Sequence, residues 1–256
     1  MLAGVMRLLL VGSLAACGVA GNAGPKLDGG TDRDVPVGFD APVGFDTPPD
    51  ELGAYRHSIQ IDGADDFVAA EQFPTTSNAY AARIAWDDHA VYVGYSGPDL
   101  DPAALDTANK WLFVYIDVDP GAATGGATSL RYNTQQATFP SGFGAELYAR
   151  WRCDGTFASI EHRAADDTYT TIDTPTSAQS GTFVELAIPR TLLGGATSIG
   201  VVTWMINEKP TFEGNFAGLY PDNFADGYSA TLPLTRYLRV DFASPAQPND
   251  PSHTAP

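Results

Sequence analysis

The chain has 256 residues, with 31 Asp and Glu against 14 Lys and Arg, a formal net charge of −17 at pH 7. That excess of acid excludes the basic patches on which nucleic-acid binding depends, and it excludes adhesion to anionic lipid by charge. Four histidines without metal-ligand spacing, no Gly-x-Ser-x-Gly elbow and no phosphate-cradling glycine loop leave the common enzyme signatures missing, so a non-enzyme is expected.

At the N-terminus a single charge, Arg7, precedes the apolar run Leu8-Leu9-Leu10-Val11-Gly12-Ser13 and then Leu14-Ala15-Ala16-Cys17. Charge, apolar core and small residues follow each other in the order of a secretory signal. The run is too short to cross a bilayer, which takes about 20 apolar residues. Leu-Ala-Ala-Cys resembles the lipobox of bacterial lipoproteins. That resemblance implies a signal peptide over residues 1–16, Cys17 as the lipidated first residue of the mature chain, export, and a membrane anchor made of lipid. Gly18 instead of Asp after the cysteine favours the outer membrane or cell surface. An ordinary signal peptide with an incidental cysteine is the alternative, but only two cysteines occur in the whole chain, and one occupies this slot. The other, Cys153, then has no disulfide partner, and it alternates with Leu147, Ala149 and Trp151, which predicts a small buried hydrophobe.

Residues 17–52 are rich in Gly, Asp and Pro and repeat Pro-Val-Gly-Phe-Asp at 36–40 and 42–46. Such a stretch cannot bury enough apolar surface to fold, and it reads as a flexible linker behind the lipid. A docking motif built on Phe39 and Phe45 is the alternative. Residues 244–256, again Pro- and Asn-rich, read as a disordered tail.

Residues 53–243 remain as one domain, and their signal is β. Runs 79–86 and 90–95 flank Asp87-Asp88-His89 and predict a hairpin. Further runs at 111–119, 146–153, 157–162, 169–173, 182–188, 199–207 and 237–242 are rich in β-branched and aromatic residues. One helical turn is expected at 189–193, with Pro189 at its start and Gly194 at its end. About ten short strands without crossover helices predict an all-β fold, an antiparallel β-sandwich.

Several phrases then combine: Ile59-Gln60-Ile61-Asp62-Gly63, Val91-Tyr92-Val93 closing the hairpin, Tyr115-Ile116-Asp117-Val118-Asp119-Pro120-Gly121, and Val184-Glu185-Leu186-Ala187-Ile188-Pro189. Their order resembles family 9 carbohydrate-binding modules and the wider DOMON-like group, over nearly all of residues 57–243. Phe67 stands where that family usually has Trp. The resemblance implies a β-sandwich, often with bound calcium, that holds a polysaccharide or oligosaccharide by aromatic side chains.

Two places could carry chemistry. Asp117 and Asp119 lie two apart on a strand, so their carboxylates share a face, just before the Pro120-Gly121 turn. They are hard oxygen ligands suited to Ca²⁺, or else turn-capping aspartates. The resemblance favours calcium in a structural role, with Asp62, Asp65 and Asp99 as candidate further ligands. The second place is the stretch from Glu208 to Tyr228, where Phe212, Phe216, Tyr220, Phe224 and Tyr228 recur every four residues. Gly214, Gly218, Pro221 and Gly227 exclude a helix there. Tyr220, Asp222, Asn223 and Phe224, with Trp204 on the strand before, could stack on a sugar and receive its hydroxyls. A lid packed on the sandwich edge is the alternative. Glu146 and Glu185 could be drawn as a glycosidase pair, but alternation on a solvated strand face explains them more simply. The expected function is an envelope-anchored, non-catalytic carbohydrate-binding lipoprotein. A structural or partner-binding lipoprotein on the same fold comes second and a hydrolase last.

Overall fold

Runs of Val, Ile, Phe, Tyr and Trp bounded by Gly, Pro and Asp become short strands, because branched and aromatic side chains pack well on a pleated surface. The computed structural model describes residues 53–75, 77–122, 124–164, 168–207, 216–221 and 226–256. The chain divides into Met1–Asp46 and Thr47–Pro256, and every described residue belongs to the second unit. Cys17 and the signal and linker readings therefore lie outside the described residues.

In chain order the strands are β1 (Gln72–Pro74), β2 (Ala81–Trp86), β3 (Ala90–Ser96), β4 (Lys110–Asp117), β5 (Ala137–Thr138), β6 (Leu147–Arg152), β7 (Ala158–Arg163) and β8 (Tyr169–Asp173). They continue with β9 (Thr176–Ser180), β10 (Phe183–Pro189), β11 (Ser198–Asn207), β12 (Phe216–Tyr220), β13 (Leu232–Pro233), β14 (Tyr237–Asp241) and β15 (Thr254–Ala255). No α-helix occurs among the described residues. The expected turn is a 3₁₀ segment, Arg190–Leu193, ended by Gly194 at φ +62°, a left-handed conformation that glycine adopts freely.

One sheet has the order β1-β2-β3-β10-β9 and the other β15-β14-β11-β4-β6-β7-β8, with β12 also on β11. Every pairing within them is antiparallel, and a short parallel pair, β5 with β13, stands apart. The predicted hairpin is β2–β3, and Asp87 closes its turn by accepting from the backbone N–H groups of His89 (2.7 Å) and Ala90 (2.9 Å).

Side chains alternate across each strand, and the sheets bury one face against each other. Leu112, Val114 and Ile116 of β4 meet Ile84, Val93 and Leu186 there. The opposite face of β4 is not solvated. Trp111, Phe113 and Tyr115 pack with Trp204 of β11 under Phe139, Phe143, Phe216 and Leu234, a second core roofed by connections. Cys153 is free and buried in the first core, as alternation predicted, and burial pushes its thiol well above the ordinary thiol range.

Two expectations are corrected. Residues 244–256 are ordered: β15 pairs with β14, the Asn249 N–H donates to the Ala70 carbonyl (2.8 Å), and the buried His253 ring meets Trp86 edge-on at 5.8 Å. Long-range backbone bonds and one ring hold a segment whose composition lacks large apolar residues. Glu185 and Glu146 do not lie on a solvated face either. Glu185 is 0 % exposed and accepts from the backbone N–H groups of Asp62 and Gly63, each at 2.5 Å, so it pins the Asp-Gly turn to β10.

Candidate functional site

Asp117 ends β4, and the register with β6 places Ile116 opposite Leu147. One rung further the same register sets Asp117 against Glu146, whose N–H donates to the Ile116 carbonyl at 3.1 Å. Asp119, just before the Pro120-Gly121 turn, lies beside the pair, with its N–H on the Asp117 carboxylate. The result is an acidic triad, Asp117, Asp119 and Glu146, with one ligand oxygen of each within 4.8 Å of the others. Asp117 is buried, Glu146 half-buried and Asp119 exposed.

Backbone groups hold the carboxylates in place. Asp117 accepts from Asp119 N–H and Gly144 N–H, both at 2.9 Å, and Glu146 accepts from Val118 N–H at 3.0 Å. The Thr124 hydroxyl lies 2.7 Å from both oxygens of Asp119 and 2.9 Å from one of Glu146. A hydroxyl has one proton to donate, so it satisfies only part of that oxygen cluster. Among the described residues no Lys or Arg forms an ion pair with the triad.

Burial raises the Asp117 carboxyl to about 6, and the neighbouring charges of Glu146 and Asp119 push the same way. Glu146 is also raised, first by burial and then by Asp119. Three carboxylates that repel one another in a confined place fit a cation. The glycines fit it as well. A Cβ on Gly125, at φ +72°, would fall 2.4 Å from a Glu146 oxygen, and one on Gly144 would fall 1.8 Å from the Thr124 carbonyl oxygen. Only glycine lets the 124–125 and 144 backbones close on the triad.

The raised Asp117 carboxyl has a consequence in chelator-treated protein. Its folded value of about 6 exceeds the ordinary 3.8. The folded state therefore holds the proton more tightly, and its contribution to stability is complete below pH 4 and lost as pH rises through 6. Urea midpoints between pH 4 and 7 are expected to fall with pH in wild type more steeply than in Asp117→Asn. Parallel slopes would refute this.

The other sequence-predicted residues are placed apart from the triad. Asp62 accepts from its own turn at Ala64 N–H (2.8 Å), Asp65 pairs with Arg83 (2.7 Å), and Asp99 accepts from Tyr80 (2.5 Å) and pairs with Lys110. Glu146, the third member of the triad, is not marked by its own stretch of sequence. Only strand pairing reveals it, through the β4 end meeting the β6 start. Trp204 is 2 % exposed, stacked on Tyr115 at 4.9 Å with Phe216 at 6.1 Å. Tyr220 is 8 % exposed against Phe73 at 4.4 Å, so both rings serve packing in this structure. Asp222, Asn223 and Phe224 lie outside the described residues, as does Phe212. Tyr228, by contrast, is 59 % exposed.

No protein-family model matches this chain, and no curated protein matches it. Solved structures similar to it include two family 9 carbohydrate-binding modules from Caldicellulosiruptor kristjanssonii. The one in complex with cellotriose is 17 % identical over 60 % of this chain and 75 % of that one, with a TM-score of 0.34. The one in complex with glucose is 15 % identical over 72 % and 95 %, also at 0.34. At that level the likeness carries no argument, and the architecture stands on its own strands: an all-β, antiparallel sandwich with an acidic triad able to hold a metal ion.

Proposed function

We propose that this chain is an envelope-anchored, non-catalytic carbohydrate-binding lipoprotein with a calcium-stabilised sandwich. The observation that carries the reading is the convergence of Asp117, Asp119 and Glu146 in a glycine-walled cradle. The resemblance of the sequence phrases to family 9 modules implies a calcium-bearing sandwich that holds sugar, and this cradle offers the hard oxygens calcium takes. Asp117 and Glu146 would hold the ion from the paired strand ends and Asp119 from the exposed side. Bound there, calcium would neutralise the mutual repulsion of the carboxylates and lock the 117–126 turn against Gly144. Glu146 and Glu185 do not form a glycosidase pair in this reading, since one belongs to the cradle and the other holds the Asp62-Gly63 turn.

Calcium at about 100 times its Kd adds roughly 2.7 kcal/mol by mass action, a rise of several degrees in Tm. That rise is expected in wild type and absent in Asp117→Asn. Calorimetry with glucose and cellotriose, the ligands of the two similar modules, and a wider glycan array test the sugar half with calcium present. Blank arrays beside a single captured protein partner would instead favour the partner-binding lipoprotein. Palmitate labelling lost in Cys17→Ala tests the anchor, and labelling that survives would remove it.

A further inference from the structure

A cavity of about 400 Å³, within the size range of small-ligand sites, opens beside the C-terminal end of β14. Small residues, Ala54, Ala196 and Ala243, line part of it, with Phe242 and two arginines, Arg56 and Arg190. The chain has only 14 basic residues against 31 acidic ones, so two guanidiniums in one cavity stand against the general field.

Both guanidiniums are fixed on Phe242. Arg56 donates from Nη1 to the Phe242 carbonyl (2.7 Å) and to the Tyr55 carbonyl (2.6 Å). Arg190 lies over the Phe242 ring, 3.8 Å from its centroid, and donates from Nη1 to the Asp87 carbonyl (3.1 Å). Among the described residues, Arg56 Nη2 and Arg190 Nε and Nη2 make no hydrogen bond. Donors held in place by their other contacts lose little freedom when a ligand arrives. The protein's own carboxylate indicates what such a pair accepts. Asp88 Oδ1 lies 2.8 Å from Arg56 Nε and 3.6 Å from Arg190 Nη1, and the Asp88 side chain is 72 % exposed, so a ligand carboxylate would compete with it from solvent.

We propose that this cavity binds the carboxylate of an acidic sugar, a uronic acid residue. Two guanidiniums match a carboxylate with paired N–H donors. The alanines and Gly195 offer an apolar floor to the C–H face of a pyranose ring. A neighbouring cavity of about 570 Å³ shares Gly195, Ala196 and Thr197 with this one and reaches Asp119, so the trough has room for more than one sugar. The inference deepens the carbohydrate reading and rests on it for the sugar half.

The test titrates the full mature chain with glucuronate, its methyl ester, glucose and acetate, by calorimetry at low salt. Glucuronate is expected to bind, with the ester and glucose at least about tenfold weaker, since a hydrogen bond to a charged group contributes about 1.5–3 kcal/mol. Arg56→Gln and Arg190→Gln are each expected to lose that preference, and Asp88→Asn to tighten glucuronate several-fold by vacating the guanidiniums. Equal binding of ester and acid would overturn the carboxylate role, and acetate as tight as glucuronate would overturn the sugar role. Unchanged affinity in both arginine variants would place the ligand elsewhere. Circular dichroism shows whether each variant folds, and the wild-type comparison of acid with ester decides the matter without them. Neutral glycans that bind while glucuronate does not would end this inference and leave the carbohydrate reading intact. Glucuronate that binds while every neutral glycan fails would confine recognition to acidic sugars.

Discussion

Replacing Trp86 by alanine is expected to cost about 3–5 kcal/mol, the range for removing a large buried aromatic, out of a total of roughly 5–15. Trp86 is fully buried at the end of β2, where three parts of the chain meet. Its ring meets Tyr55 at 5.1 Å, His253 at 5.8 Å and Phe242 at 6.5 Å, all edge-on. Its carbonyl accepts from the His57 N–H at 2.9 Å. One side chain therefore joins the entering segment, the residue that follows β14 and the C-terminal segment to the first sheet. Urea unfolding followed by circular dichroism measures the loss, and hydrogen exchange should show Tyr55, His57 and Asn249 amides losing protection beyond the global change. Trp86→Phe is expected to cost far less, because the buried indole N–H has no acceptor to lose. A loss under 1 kcal/mol in Trp86→Ala would mean the three segments are held independently of this ring.

Glu185→Ala is expected to cost about 3 kcal/mol, because it strands the buried Gly63 N–H and the part-buried Asp62 N–H, at roughly 1–3 kcal/mol for a buried donor and less where water reaches. Burial raises the Glu185 carboxyl, and the two N–H donors of Asp62 and Gly63 oppose that rise. Its second oxygen is buried without a partner. Glu185→Gln keeps an acceptor for the turn and is expected to lose only about 1 kcal/mol. Equal losses in the two variants would show that charge, not acceptance, holds the turn. Turnover of a chromogenic glycoside that Glu185→Gln abolishes would revive the hydrolase alternative.

Local chemistry made most of the sandwich legible. The β2–β3 hairpin was readable because Asp87 can close its turn, and β4, β6, β10 and β11 because branched and aromatic residues crowd them. Asp117 and Asp119 were legible as a pair because spacing by two fixes a shared face. Their third partner was not, since Glu146 is 27 residues beyond Asp119 and only the β4–β6 register brings it across. The strand β9 is Thr-Ser-Ala-Gln-Ser, polar enough to pass for a loop, and pairing with β10 makes it a strand. Trp204 alternates with Val202 and Ile206, which suited an exposed face as well as a buried one. The roof over that face comes from distant connections around Phe139 and Leu234. The C-terminal segment misled for the same reason, since its order rests on bonds to residues far away in the chain.

The way the chain enters the sandwich also has a mechanical meaning. Residues 55–58 belong to no strand ladder and are held by separate bonds, among them Tyr55 N–H to the Ser244 carbonyl at 2.8 Å, His57 N–H to the Trp86 carbonyl at 2.9 Å, Arg56 to the Phe242 carbonyl at 2.7 Å and Ser58 to Asp87 at 2.5 Å. A pull from the N-terminal side loads these one after another, as in unzipping, whereas the β3–β10 ladder would have to shear as a whole. The entry segment is therefore the part of the domain expected to detach first under such a pull. Moderate tension is expected to detach Ala54 and Arg56 from the wall of the arginine cavity before either sheet opens.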